Sequence, residues 1–150
     1  MTKRVILIGC CLCFCVCLGQ QKPADGEPRT GSFTVSFDEY SKLSRPPDVY
    51  MRVGEKPENR ASKQVYKIEA ESYRAYVPKD YARWKPFGLI VWINAGDNGG
   101  PPRGWPGIMD KHHVIWIGAD KTGNRHNTVL RRIPLALDAV HNMTQRYNID

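Results

Sequence analysis

Leu89-Ile90-Val91-Trp92-Ile93-Asn94-Ala95-Gly96-Asp97-Asn98-Gly99-Gly100 opens with five consecutive apolar residues. A strand that is apolar at every position is one that hides both faces, as central strands of parallel sheets do. A Gly/Pro-rich loop follows from Asn94 to Gly107, and then a second all-apolar run, Val114-Ile115-Trp116-Ile117. Strand, loop and strand in this style predict an α/β fold. Ligands of open α/β sheets bind just outside the carboxyl ends of such strands. Small residues there let backbone N–H groups face a developing oxyanion, although taken by itself the stretch reads better as an ordinary surface loop.

Upstream, Phe33-Thr34-Val35-Ser36-Phe37 alternates and predicts a short half-exposed strand. Asp38 to Arg60 has no sustained period and is broken by Pro46-Pro47 and Pro57, with a short helix expected near Asp48 to Val53. Val65 to Glu69 and Tyr73 to Val77 alternate again and predict neighbouring antiparallel strands at a sheet edge. Asp80 to Phe87 and Gly118 to Thr128 read as loops. Downstream, Ile133, Leu137, Val140, Thr144 and Tyr147 recur at helical spacing, with Ala136 and Met143 beside them. Pro134 requires that this helix begin near Arg132, with the proline in its first turn.

The N-terminus reads as an export signal. Met1 to Arg4 is positively charged, Val5 to Leu18 is apolar, and Cys17-Leu18-Gly19 offers small residues at the cleavage positions. The apolar run falls short of the ~18 residues of a spanning helix, so no stable membrane span is expected. Leu7-Ile8-Gly9-Cys10 fits a lipobox by residue type, but only Val5 to Ile8 precede it as apolar core. The expected location is secreted or periplasmic. The expected organisation is a signal peptide over 1–19, a linker over 20–30, an N-terminal β segment over 31–71 and a partial α/β domain over 72–150. All five cysteines lie within the leader, where they act as small hydrophobes, so the exported chain has no thiol for a disulfide or metal cluster. The net charge of +7 falls to +5 once Lys3 and Arg4 leave, and no Lys/Arg cluster with interleaved aromatics marks a nucleic-acid face.

His112-His113, His126 and His141 raise the question of a metal, but no pair has compact ligand spacing, since the adjacent pair would diverge on a strand. No metal and no cofactor are expected. Asp120-Lys121-Thr122-Gly123 superficially resembles the phosphorylated-aspartate motif of haloacid-dehalogenase-like phosphatases, with Asn124 and Arg125 departing from it. Asp120 reads better as a residue that shapes its loop. Trp92 and Trp116 are expected to fill the core, which leaves Trp105 as the tryptophan for ligand contact.

Tyr76-Val77-Pro78, the run Pro86 to Gly96, Gly104-Trp105, the run Val114 to Asp120, Leu135 to Val140 and Arg146 to Asp150 together resemble secreted esterases of the α/β-hydrolase superfamily. The likeness is to the polyhydroxybutyrate-depolymerase and feruloyl-esterase-like branch and covers roughly residues 72–150. Asn94-Ala95-Gly96 stands where that branch has a His-Gly-Gly loop forming half the oxyanion hole, so the resemblance implies the backbone N–H of Gly96 or Asp97 as the oxyanion donor. The resemblance implies an incomplete α/β-hydrolase sheet, with the N-terminal strands and first helices only, and ester hydrolysis through an acyl-serine. The G-x-S-x-G elbow is absent: after the leader, serines stand at 32, 36, 41, 44, 62 and 72, all before the core strands. A fragment without the nucleophile is expected to be inactive alone. Its implied partners are an ester or polysaccharide-ester substrate and a separately encoded C-terminal half. In the family the next strand pairs with the Leu89 to Ile93 strand, which without it becomes an open, association-prone edge. The alternative is a non-catalytic secreted protein that binds a partner or polysaccharide.

Overall fold

The computed structural model describes residues 28–55 and 64–150. The leader with its cysteines and most of the 20–30 linker lie outside the described residues. The strands are β1 (Gly31–Val35), β2 (Tyr73–Val77), β3 (Gly88–Trp92) and β4 (Val114–Ala119), and the helices are α1 (Pro46–Arg52), α2 (Trp105–His112) and α3 (Ile133–Arg146). They form one mixed sheet in the order β1-β2-β4-β3. β1 pairs antiparallel with β2, β2 antiparallel with β4, and β4 parallel with β3. An α/β architecture therefore stands. No helix among the described residues is long and apolar enough to cross a membrane.

Several expectations change. Val65 to Glu69 is not a strand: the chain turns there and makes a short 3-10 turn at Ile68–Ala70. β2 pairs instead with β1 and β4, so it lies inside the sheet. The buried centre is β4, whereas β3 is only half-buried and has β4 as its one neighbouring strand among the described residues. The Asn94–Gly107 loop also ends early, because α2 begins at Trp105. Gly104, at φ 85°, turns the chain into α2, and Pro106 sits in the first turn, where its missing N–H costs nothing. His112 closes α2 and His113 ends it in a left-handed conformation, so this pair lies on a helix end rather than a strand.

The sheet is covered on both sides. Ile115, Ile117 and Ala119 of β4, with Tyr73, Ala75 and Val77 of β2, meet Leu135, Ala139 and Met143 of α3. On the opposite face Tyr76, Trp116 and Ile90 meet Met109 of α2. α3 forms where its spacing predicts a helix, but its buried stripe is Leu135, Asp138, Ala139, Asn142 and Met143. Val140 and Thr144 face solvent. Two polar residues in the buried stripe made the wrong face look apolar.

Those two residues tie the N-terminal segment down. The fully buried Asp138 carboxylate accepts from Ser41 N–H at 2.7 Å and from the Tyr66 hydroxyl at 2.5 Å. Asn142 Nδ2 donates to Glu39 O at 2.8 Å. Burial pushes the Asp138 carboxyl above its usual range, against the hydrogen bonds that hold it down. Burial and the adjacent Asp138 push the Tyr66 hydroxyl up as well, so it remains a donor.

Replacing Asp138 with Ala leaves Tyr66 and Ser41 without their acceptor and is expected to cost about 2–4 kcal/mol in urea unfolding. The raised carboxyl binds its proton more readily folded than unfolded. Its contribution is therefore greatest below the unfolded value and declines as pH rises through the folded one. Asp138→Asn should flatten that slope. The open flank of β3 is expected to make the purified chain self-associate with concentration in sedimentation velocity. Ile93→Lys, a charge at an exposed position next to that edge, should return it towards monomer. A monomeric wild-type chain with a sharp cooperative melt would contradict this.

Candidate functional site

The parallel pair β3–β4 brings the Asn94–Gly104 segment and the Asp120–Asn127 segment to the same end of the sheet. The first folds back over β4 where Gly99 and Gly118 meet. A Cβ on either glycine would overlap the backbone of the other. Gly99 O accepts from Trp116 Nε1 at 2.8 Å, and Gly99 N–H donates to Asp120 Oδ1 at 3.0 Å. Asp120 also accepts from the Ser72 hydroxyl at 2.8 Å and from Arg74 Nε at 3.0 Å. Burial pushes the Asp120 carboxyl up, but these donors outweigh it and hold it below the usual carboxylate range. Asp120 thus shapes the loop. Its oxygens are engaged structurally, which leaves the phosphorylated-aspartate likeness without geometric support.

The second segment locks onto the first. Lys121 N–H donates to Asp97 O at 2.8 Å, and Asn124 N–H to Ala95 O at 2.9 Å. Gly123 N–H donates to Asp97 Oδ1 at 3.1 Å, and a Cβ on Gly123 would crowd both Asp97 and Ala95. Arg125 pairs with Asp97 Oδ2, and His126 Nε2 lies 3.5 Å from Asp97 Oδ1 without a hydrogen bond. Behind this, Arg131 forms a two-pronged pair with Glu71 at 2.8 and 2.7 Å and donates to Lys121 O. It does so from a π-type turn, Thr128–Arg132, capped by Asn127, an irregularity often found beside functional sites.

The oxyanion candidates differ. Asn94 Oδ1 accepts from Gly96 N–H at 3.1 Å, and Asn98 Oδ1 accepts from Gly100 N–H at 2.8 Å, two side-chain turns in succession. Asp97 N–H makes no hydrogen bond among the described residues, so of the two it is the donor left for a ligand. Trp105 stands apart from these loops, packed edge-on against Trp116 at 5.7 Å. Trp92 is not core-filling as expected: it is 40% exposed and stacks on the fully buried Trp116 at 5.3 Å. Trp92 and the 36%-exposed Trp105 thus form an aromatic surface on the α2 side.

The two segments enclose a cleft of about 580 Å³. Its wall includes Arg74, Lys121, Arg125 and His126, together with Asp97 and Asp120. The sequence reading missed Arg74, Arg125 and His126 as partners of this site. Arg74 was legible as the one charged residue in a buried strand. Arg125 and His126 were not, because only the Gly123 contact folds their loop onto Asp97. Among the described residues no group of three or more His, Cys, Asp or Glu side chains is placed to hold a metal ion. Comparisons with family models, curated proteins and solved structures returned no match.

The Gly99–Gly118 contact cannot yield without moving β4 or the loop. Gly99→Ala is expected to destabilise the chain by about 2–4 kcal/mol in denaturant and to shift the Trp116 indole N–H resonance. Asp120 is held low, so its tie is complete above its unfolded value and lost as pH falls through the folded one. Asp120→Asn should flatten that acid limb.

Proposed function

We propose that the chain is the oxyanion-side, N-terminal part of an exported serine-esterase-like α/β hydrolase. It acts on carboxylic esters once a nucleophile strand stands beside β3, and it is inactive without one. The observation that carries this reading lies at residues 148–150. Phe87 N–H donates to Asn148 O and Asp150 N–H to Phe87 O, both at 3.0 Å, which starts a parallel bridge between Ile149 and Phe87. The resemblance requires the next strand to lie there. A strand continuing in that direction ends beside the Asn94–Gly100 loop, where Asp97 N–H would meet the oxyanion of an ester attacked by its serine. The serine oxygen would bond to the carbonyl carbon, the alcohol would leave with a proton, and water would release the acid and regenerate the serine.

A second reading, a polysaccharide- or partner-binding protein without catalysis, is favoured by one observation, the exposed Trp92–Trp105 surface.

The deciding experiment compares this chain with one extended through its own downstream codons. Both are treated with a fluorophosphonate probe and with p-nitrophenyl esters. The 150-residue chain should show neither labelling nor turnover, and the extended chain should show both. An extended chain that folds, is not labelled and has no G-x-S-x-G within about fifteen codons would overturn the hydrolase reading. A tryptophan fluorescence shift with soluble polysaccharide would then favour the second.

A further inference from the structure

The cleft between the two loops has more donors than it uses. Its carboxylates are engaged: Asp120 serves Gly99, Ser72 and Arg74, and Asp97 serves Gly123 and Arg125. Its donors are not. Arg74 reaches Asp120 through Nε, and neither of its terminal nitrogens makes a hydrogen bond among the described residues. Lys121 lines the cleft, is exposed, and its ammonium has no ion pair among the described residues. Arg125 engages Asp97 through one nitrogen and is otherwise in solvent.

Three permanent cations thus surround two carboxylates, and the leftover groups are N–H donors with no acceptor of their own. The carboxylates are the more buried members of their pairs: 13% exposed for Asp120 against 52% for Arg74, and 34% for Asp97 against 75% for Arg125. Negative charge is sunk and satisfied, whereas positive charge stands at the rim. Lys121 holds a left-handed backbone at φ 55°, unusual for a lysine. Its own N–H and C=O are fixed by Asp97 and Arg131, so its Cα cannot drift from the cleft.

We infer that this cleft binds a carboxylate of the substrate, so that the ester hydrolysed is one whose acyl part carries a second, free carboxylate. Asp97 is the hinge of the inference. Its N–H belongs to the oxyanion position and its side chain to the cleft wall, so the cleft adjoins that position. A half-ester of a short dicarboxylic acid offers both an ester carbonyl and a free carboxylate. The ester half of this inference rests on the hydrolase reading; the carboxylate half stands without it.

The test is ligand-observed saturation-transfer NMR on the purified chain, a method that tolerates self-association. Monomethyl succinate, dimethyl succinate and methyl phosphate are titrated at low and high salt. Monomethyl succinate should bind about tenfold more tightly than the neutral diester, and salt should weaken it. Lys121→Gln should weaken it about three- to fivefold and Lys121→Arg should restore it, with the thermal melt unchanged in both. Equal binding of the two succinates, or indifference to Lys121→Gln, would overturn the inference. Tighter binding of methyl phosphate would overturn the carboxylate assignment. None of these readouts involves turnover, so failure of the hydrolase reading appears separately, as an extended chain that does not react with the fluorophosphonate.

Discussion

Two glycines facing each other across a strand and a loop set the position of everything at the carboxyl end of this sheet. Gly99 and Gly118 touch backbone to backbone, a distance that no side chain permits. The Trp116 indole and the Asp120 carboxylate then hold both polar groups of Gly99. An unpaired backbone group in that setting would cost about 1–3 kcal/mol, so the contact and its two hydrogen bonds form together or not at all. From Gly99 the loop runs back to Asp97, and Asp97 in turn anchors Lys121, Gly123 and Arg125. Displacing Gly99 would therefore release the whole wall of the cleft.

A second tie acts at the far side of α3. Asp138 and Asn142 sit in the middle of its apolar stripe, yet Asp138 accepts from Ser41 and Tyr66 and Asn142 donates to Glu39 O. A buried charge is tolerated only when paired in this way. Leu, Ile or Val at these positions would bury equally well but would specify nothing about where residues 37–45 lie. The polar pair converts a generic helix face into an addressed one. The cost is sensitivity: the same burial that makes the address unique makes the loss of one partner expensive.

The same two residues mark where sequence legibility ended. β2, β3, β4 and α3 were readable because alternation, continuous apolar runs and helical spacing are properties of neighbouring residues. The face of α3 was not, because its polar members are satisfied by residues about a hundred positions away. Val65–Glu69 alternated like a strand, but Tyr66 and Ile68 are buried by a turn rather than by a ladder. α2 was hidden by Gly104-Trp105-Pro106-Gly107, a loop-like string that in fact starts a helix. At the site, the Asn94–Gly96 and Asn98–Gly100 spacings carry the i to i+2 side-chain turn pattern and were open to reading. The approach of Arg125 and His126 to Asp97 was not, since it depends on a glycine contact between segments more than twenty residues apart.

Strand order explains why the cleft is walled on one side only. β4 is sheltered by β2 and β3 and carries the rigid wall, while β3 has no second partner strand beyond Phe87 among the described residues. The hydrogen bonds of Asn148 and Asp150 to Phe87 set residues 148–150 parallel to that flank. A parallel neighbour of β3 must end where β3 ends, at the Asn94–Gly100 loop. The end of such a strand would face Asp97, whose N–H makes no hydrogen bond among the described residues, and the cations at the cleft rim. An antiparallel neighbour would conflict with the register set at Ile149 and would carry its far end away from the cleft. Direction, set by two backbone hydrogen bonds at the opposite end of the sheet, thus decides whether an added strand can act at this site at all.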